Sequence, residues 1–176
     1  MKKKPPRRKP PAKKIAAPKK KRIQPIPAGY RSVTAYLSVR GAAQAIEFYK
    51  QAFNAAEDLR LPGANGTVGH AEISIGDSVV MLCDEYAPLA FLSPPARGGT
   101  TVHLHLYVKD VDATVARAVA VGATIRTAVA DQFYGDRRGT LEDPYGHIWH
   151  VATHTEDVSE AEAMRRLRKL EKQAQG

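Results

Sequence analysis

The stretch Thr100–Asp112, TTVHLHLYVKDVD, decides how the rest of the chain is read. Val102, Leu104, Leu106 and Val108 alternate with His103, His105 and Tyr107. This period of two predicts a β-strand with one face packed and the other carrying polar rings. His103 and His105 then point the same way, about 7 Å apart along the strand. The strand runs through Lys109-Asp110 into a helical pattern, and it is the expected wall of a binding site.

On its C-terminal side, Val111–Val121 has helical spacing with Val111, Val115 and Val119 inward, and Gly122 stops it. A strand over Ala123–Ala128 and a loop over Asp131–Asp136 follow. Strands over Arg138–Glu142 and Ile148–Ala152 then flank an Asp143-Pro-Tyr-Gly146 turn. Trp149 alternates with His150 and is expected on the packed face as a core anchor. Arg137 and Arg138 beside Asp136 read as a surface ion-pair cluster.

On the N-terminal side the same order appears. Val33–Val39 alternates, with Thr34, Tyr36 and Ser38 on one face, and Gly41–Phe53 is helical through Ala42, Ala45, Ile46, Tyr49 and Phe53. Strands over Glu57–Leu61, Thr67–Ile75 and Val79–Cys83 follow, joined by Gly-containing turns. His70, Glu72 and Ser74 share a polar face. Each half therefore reads β-α-β-β-β, with Thr34 equivalent to His103 and a repeat of about 69 residues. The fold class is α+β: modules at 30–84 and 101–154 whose mixed sheet curls around one cleft, within a domain at 28–156. The connector Glu85–Gly99 is too irregular for an element, and its Tyr86, Leu89, Phe91 and Leu92 are expected to pack on the body, over the cleft or against a partner.

Composition limits the function. The net charge of +9 is uneven: twelve of the 27 Lys and Arg, and none of the 18 acids, lie in residues 1–27, which leaves a net of −3 for the rest. Seven of the twelve prolines also lie there, so that segment reads as an extended, disordered arm. It serves as a solubilising linker, as a salt-sensitive, nonspecific nucleic-acid arm, or as a contact to an anionic membrane. The single Cys83 sits in an apolar run and reads as a buried thiol. No apolar run is long enough to span a membrane, and no secretory signal is present, so cytoplasm is the expected location. At the other end, Asp157–Gln175 reads as an amphipathic helix within a segment at 157–176. A Ser159–Glu162 capping box starts it, and it is expected to dock on the sheet or a second subunit.

Two βαβββ modules opened by YLSVRGAAQAIEFYKQAF and HLHLYVKDVDATVARAVAVGA resemble the vicinal oxygen chelate superfamily of glyoxalases, fosfomycin- and bleomycin-resistance proteins and extradiol dioxygenases. The segment DRRGTLEDPYGHIWHVATH is similar to that group's Asp-Pro-x-Gly-His turn before the last strand. AIEFYKQAF and HAEISIGDSVVML look like its PhnB-like branch. The resemblance covers about Ala28–Ser159.

The resemblance implies one metal ligand from each of four strands, typically His, Glu, His and Glu. Matching places Thr34 at the first position, Leu82 near the second, His103 at the third, and His150 where the family has glutamate. Two imidazoles fall short of the three protein ligands of an open transition-metal site. His105, or Glu72 from the polar face, could supply a third. The expected ligand-binding set is Thr34, Tyr36, Glu72, Leu82, His103, His105, Tyr134 and His150, and no catalytic residue is assigned. Tyr134 enters because the resemblance places its loop near the cleft mouth.

The reading is a cleft that binds a small organic molecule without a catalytic metal. Its alternative is a divalent-metal-dependent isomerase, lyase, transferase or dioxygenase. In that case His103 and His150 would hold the ion. The family further implies a homodimer.

Overall fold

The structure, a computed structural model, describes residues 23–174. In the first module, β1 (Ala35–Val39) leads to α1 (Ala42–Phe53), then β2 (Ala56–Pro62), β3 (Val68–Ile75) and β4 (Ser78–Asp84). After a one-turn helix α2 (Pro94–Arg97), the second module repeats the order with β5 (His103–Tyr107), α3 (Val111–Ala120), β6 (Thr124–Asp131), β7 (Asp136–Glu142) and β8 (Ile148–His154). The sheets run β1-β4-β3-β2 and β5-β8-β7-β6, each with one parallel pair at its edge. The α+β class and both modules are as the sequence predicts. The sheet comes as two four-stranded halves, with β1 and β5 each ending one.

Local chemistry fixes where the helices begin. α3 starts at Asp110, whose carboxylate accepts from the Ala113 N–H at 2.9 Å. α1 has no such residue of its own at Gly41. Asp84, at the end of β4, accepts instead from the N–H groups of Gly41 and Ala42 at 2.8 and 2.9 Å, and its second oxygen takes the Val68 N–H. One carboxylate thereby joins α1, β3 and β4.

The apolar faces of both sheets turn toward α1 and α3, and one core runs through both modules. Ile46, Tyr49, Ile73, Leu82, Leu141 and Val151 are all buried in it. Phe53 and Tyr49 on α1 lie 4.8 and 5.6 Å, ring to ring, from Trp149 on β8. Trp149 is the core anchor that its alternation with His150 predicts. At the centre lies the buried carboxylate of Asp143. It accepts from the Tyr49 hydroxyl at 2.7 Å and from the Trp149 indole N–H, Tyr145 N–H and His147 N–H at 2.9 Å. Four donors satisfy a charge that would otherwise be too costly to bury. Gly146 closes this turn at φ 87°, and a Cβ there would come within 3.0 Å of Pro94 and Pro95.

At the C-terminus, α4 (Glu160–Ala174) starts as predicted, with the Glu162 N–H donating to Ser159 Oγ at 3.3 Å. It does not dock on a sheet. None of its side chains is buried, and Met164 and Leu170 are about half exposed. Its stripe is too narrow, among Arg165, Arg166, Arg168 and Lys169, to outweigh keeping those charges in water. Of the basic arm, residues 1–22 lie outside the described residues, and Ile23–Pro27 is exposed and irregular. Among the described residues no helix is long and apolar enough to cross a membrane.

Replacing Asp143 with Ala orphans four donors, three of them in the core. Urea unfolding of D143A should show a loss of at least about 3 kcal/mol, whereas Tyr49→Phe should cost about 1–2 kcal/mol. A Tyr49→Phe variant as stable as the wild type would mean that the carboxylate does not join the modules.

Candidate functional site

Strand register decides which side chains leave the core. On the second sheet, β5 pairs with β8 so that His105 lies opposite His150, and β7 pairs with β8 so that Thr140 lies opposite His150. His103, His105, Thr140 and His150 therefore share the face turned away from Trp149. His103 Nδ1 lies 3.0 Å from His150 Nε2, and His150 Nδ1 lies 2.9 Å from Thr140 Oγ1. The three form a chain: an exposed imidazole, a half-buried one and a buried hydroxyl. Burial first, then the charges of Arg138, His103 and His105, holds the His150 pKa below its ordinary value of 6.5.

Around His103 lies a hollow of about 640 Å³ walled by Thr140, Ile148 and the Arg126–Glu142 ion pair, with Pro95 and Gly99 of the connector at its rim. That volume lies within the range of small-molecule pockets. Along the same face, the Tyr107 hydroxyl donates to the buried Asp136 at 2.9 Å, and His154 Nδ1 lies 2.8 Å from its other oxygen. Asp136 thus pairs with His154 and Tyr107 rather than with the neighbouring arginines. Arg137 instead pairs with Asp112 and Asp131 at the surface. Hydrogen bonds to Asp136 and then Asp157 raise the His154 pKa. Tyr134 stands edge-on to Phe133, 5.1 Å away, in the loop beside Tyr107, and so lies toward this end of the face.

The first sheet carries its own polar group. The Tyr36 hydroxyl lies 2.9 Å from His70 Nδ1, and His70 Nε2 lies 3.2 Å from a Glu72 carboxylate oxygen. Hydrogen bonds from Tyr30 and His70 hold the Glu72 carboxyl below the usual range, so it is ionised at neutral pH. Burial, then the neighbouring Cys83 thiol, pushes the Tyr36 hydroxyl up to about 12. Phe91 from the connector packs on the Tyr36 ring at 5.0 Å. Tyr36 and Glu72 are therefore together as expected, with His70 between them.

Leu82 is a correction. It is fully buried in the core, and the register explains why. Tyr36 lies opposite Met81 on β4, as His105 lies opposite His150 on β8. With Thr34 equivalent to His103, Met81 is the counterpart of His150. An offset of one residue moves a side chain to the other face. Neither Met81 nor Leu82 offers a donor suited to a hard divalent ion.

The expected residues therefore fall into two sets, one per sheet. Because both apolar faces turn toward the helices, the polar faces turn away from them. Among the described residues no side-chain hydrogen bond or ring contact joins one polar face to the other. Thr34 and His105 meet only at a seam between the sheets. There they line a hollow of about 330 Å³ with Val80, Leu104, Leu106 and Trp149.

Comparison with known proteins gives this geometry a context. Residues 31–151 match the family model of the Glyoxalase/Bleomycin resistance protein/Dioxygenase superfamily. The chain is 41% identical over 131 residues to uncharacterized proteins of Mycobacterium bovis and Mycobacterium tuberculosis. The match spans 73% of this chain and 86% and 77% of theirs. Among solved structures, an Arabidopsis thaliana gene product is 29% identical with a TM-score of 0.57, over 70% of this chain and 98% of that one. TioX from Micromonospora is 26% identical with a TM-score of 0.56, over 73% and 100%. FosX from Listeria monocytogenes, solved with Mn(II) and sulfate, is 15% identical with a TM-score of 0.54, over 75% and 95%, and shares the fold alone.

The two shifted imidazoles give opposite pH signatures. The unfolded chain takes up a proton at His150 before the folded chain does, so His150 lowers stability as pH falls below about 6.5, until its own folded value is passed. The His154 contribution is complete below about 6.5 and is lost as pH rises through its raised folded value. Ring-resolved NMR titration should place His150 below and His154 above 6.5. The reverse order would refute the described contacts.

Proposed function

Because the chain belongs to the Glyoxalase/Bleomycin resistance protein/Dioxygenase superfamily, we propose that it holds a small organic molecule against the His103–His150 face, without a catalytic metal, in a cleft completed by a second copy. The observation that carries the metal-free reading is the commitment of both His150 ring nitrogens, one to Thr140 and one to His103. An imidazole with both nitrogens engaged has no lone pair for an ion. The equivalent position on β4 holds Met81, and Thr34 stands where the family has histidine, so the donor set does not fit a first-row metal.

The second copy is argued from what a single chain leaves open. β1 and β5 each end a sheet with one side unpaired by a neighbouring strand. The open faces and their margins expose Tyr36, Leu59, Leu61, Val102, Tyr107 and Ile125, more apolar surface than a polar sheet face needs. One face carries the ionised Glu72 and the other the imidazoles and Arg138, so the first face of one copy complements the second face of another. Residues 1–27 add a nonspecific, salt-sensitive attraction to nucleic acid through twelve cations.

Metal analysis of untagged protein, together with sedimentation, tests the main reading. Far less than one equivalent of Ni, Zn, Fe or Mn per chain is expected, in a dimer. Stoichiometric metal that disappears in the His103→Ala, His150→Ala double mutant would overturn it in favour of the metal enzyme. Separately, deleting residues 1–27 should abolish retention on DNA that salt elutes, with the circular dichroism unchanged.

A further inference from the structure

Thr140 is buried, and His150 Nδ1 is the partner of its hydroxyl among the described residues. A hydroxyl carries one proton, and a buried donor left without an acceptor loses its hydrogen bond to water with nothing in return. If Thr140 accepted a bond from His150 Nδ1–H, its own proton would be stranded in the sheet. It must donate instead. His150 Nδ1 is then the bare nitrogen, and the remaining proton of the neutral ring sits on Nε2. That proton points at His103 Nδ1, 3.0 Å away, which must in turn be bare. The proton of the neutral His103 ring is forced onto Nε2, the atom left free at the hollow. One buried hydroxyl thus sets the tautomers of two rings in sequence.

We propose that Thr140 is a positioning residue which, acting through His150, fixes His103 as its Nε2–H tautomer, so that the site recognises its ligand through a hydrogen-bond-accepting oxygen: a carbonyl, carboxylate or phosphoryl group. The walls agree with this. The hollow's one carboxylate, Glu142, is occupied by Arg126, and the connector contributes prolines and glycines rather than acids. Reversing the relay so that His103 offers a lone pair would require Thr140 to give up its acceptor, at the cost just stated. The ligand half of the proposal rests on the cleft reading. The tautomer half does not, since it depends only on contacts within one chain.

Long-range ¹H–¹⁵N correlation spectra of the uniformly ¹⁵N-labelled full chain, above the titration range of both rings, read the tautomers directly. His103→Gln assigns the His103 signals. The wild type should show Nε2 protonated and Nδ1 bare in both His103 and His150. Thr140→Val should convert both rings to a tautomer mixture, and Thr140→Ser, which keeps the hydroxyl, should restore the wild-type pattern. A His103 carrying its proton on Nδ1 in the wild type would overturn the proposal, even if the valine variant failed to fold. So would a folded Thr140→Val with unchanged tautomers.

Titration with acetate, acetamide, inorganic phosphate and tetramethylammonium then reads the ligand class. Any of the three oxygen acceptors should shift the His103 Nε2–H signal, and their rank separates carboxylate, carbonyl and phosphoryl sources. Tetramethylammonium should leave the signal in place. A response to the cation alone, or none to any acceptor, would refute the ligand half, whatever the oligomeric state proves to be.

Discussion

The carboxylate of Asp143 is the point on which the architecture depends. It lies in a turn between β7 and β8, yet its strongest partner, Tyr49, belongs to the helix of the other module. A buried anion can be tolerated only if its lone pairs are filled, and here donors from both halves fill them. That requirement seats α1 against Trp149 and sets the first module's helix over the second module's sheet. Everything apolar on the two sheets is then committed inward.

The polar faces take their character from that commitment. With the helices on the apolar side, the Tyr36–His70–Glu72 group and the His103–His150–Thr140 group are left on open surfaces. Each is internally satisfied: Glu72 by Tyr30 and His70, His150 by Thr140 and His103. On the proposed reading, a site so arranged hydrogen-bonds a ligand rather than coordinating an ion, because its central imidazole has both nitrogens engaged within the protein. In the proposed cleft the two groups form opposite walls contributed by different copies.

The elements were legible in the sequence because their periodicity is strong. Alternation over 102–108 placed His103 and His105 on one face, and the matching order in each half gave the repeat. Trp149 was assigned to the core for the same reason. The error at Leu82 shows where counting from a motif fails. A strand carries two faces, and an offset of one residue exchanges them, so only the pairing of Tyr36 with Met81 resolves it. Asp143 is legible only as turn chemistry, since nothing local in Asp-Pro-Tyr-Gly reveals a tyrosine 94 residues away. Thr140 carries no signal of its own, but counting back across that turn from His150 reaches it, because the hairpin places the two opposite each other. How the modules sit on one another lay beyond any pattern in the chain. It is set by tertiary packing of rings that look alike in sequence whether they meet within a module or between modules.

The most direct test asks which chain supplies each wall. A nitroxide on Leu61→Cys, in a Cys83→Ser background without ¹⁵N, is mixed with ¹⁵N-labelled chains that carry no nitroxide. The account predicts relaxation broadening of the His103–Tyr107 amides in the nitroxide-free chains, because the first face of one copy lies across from the second face of another. Amides of His103–Tyr107 that keep their full intensity in the nitroxide-free chains, in a sample that sediments as a mixed dimer, would contradict it.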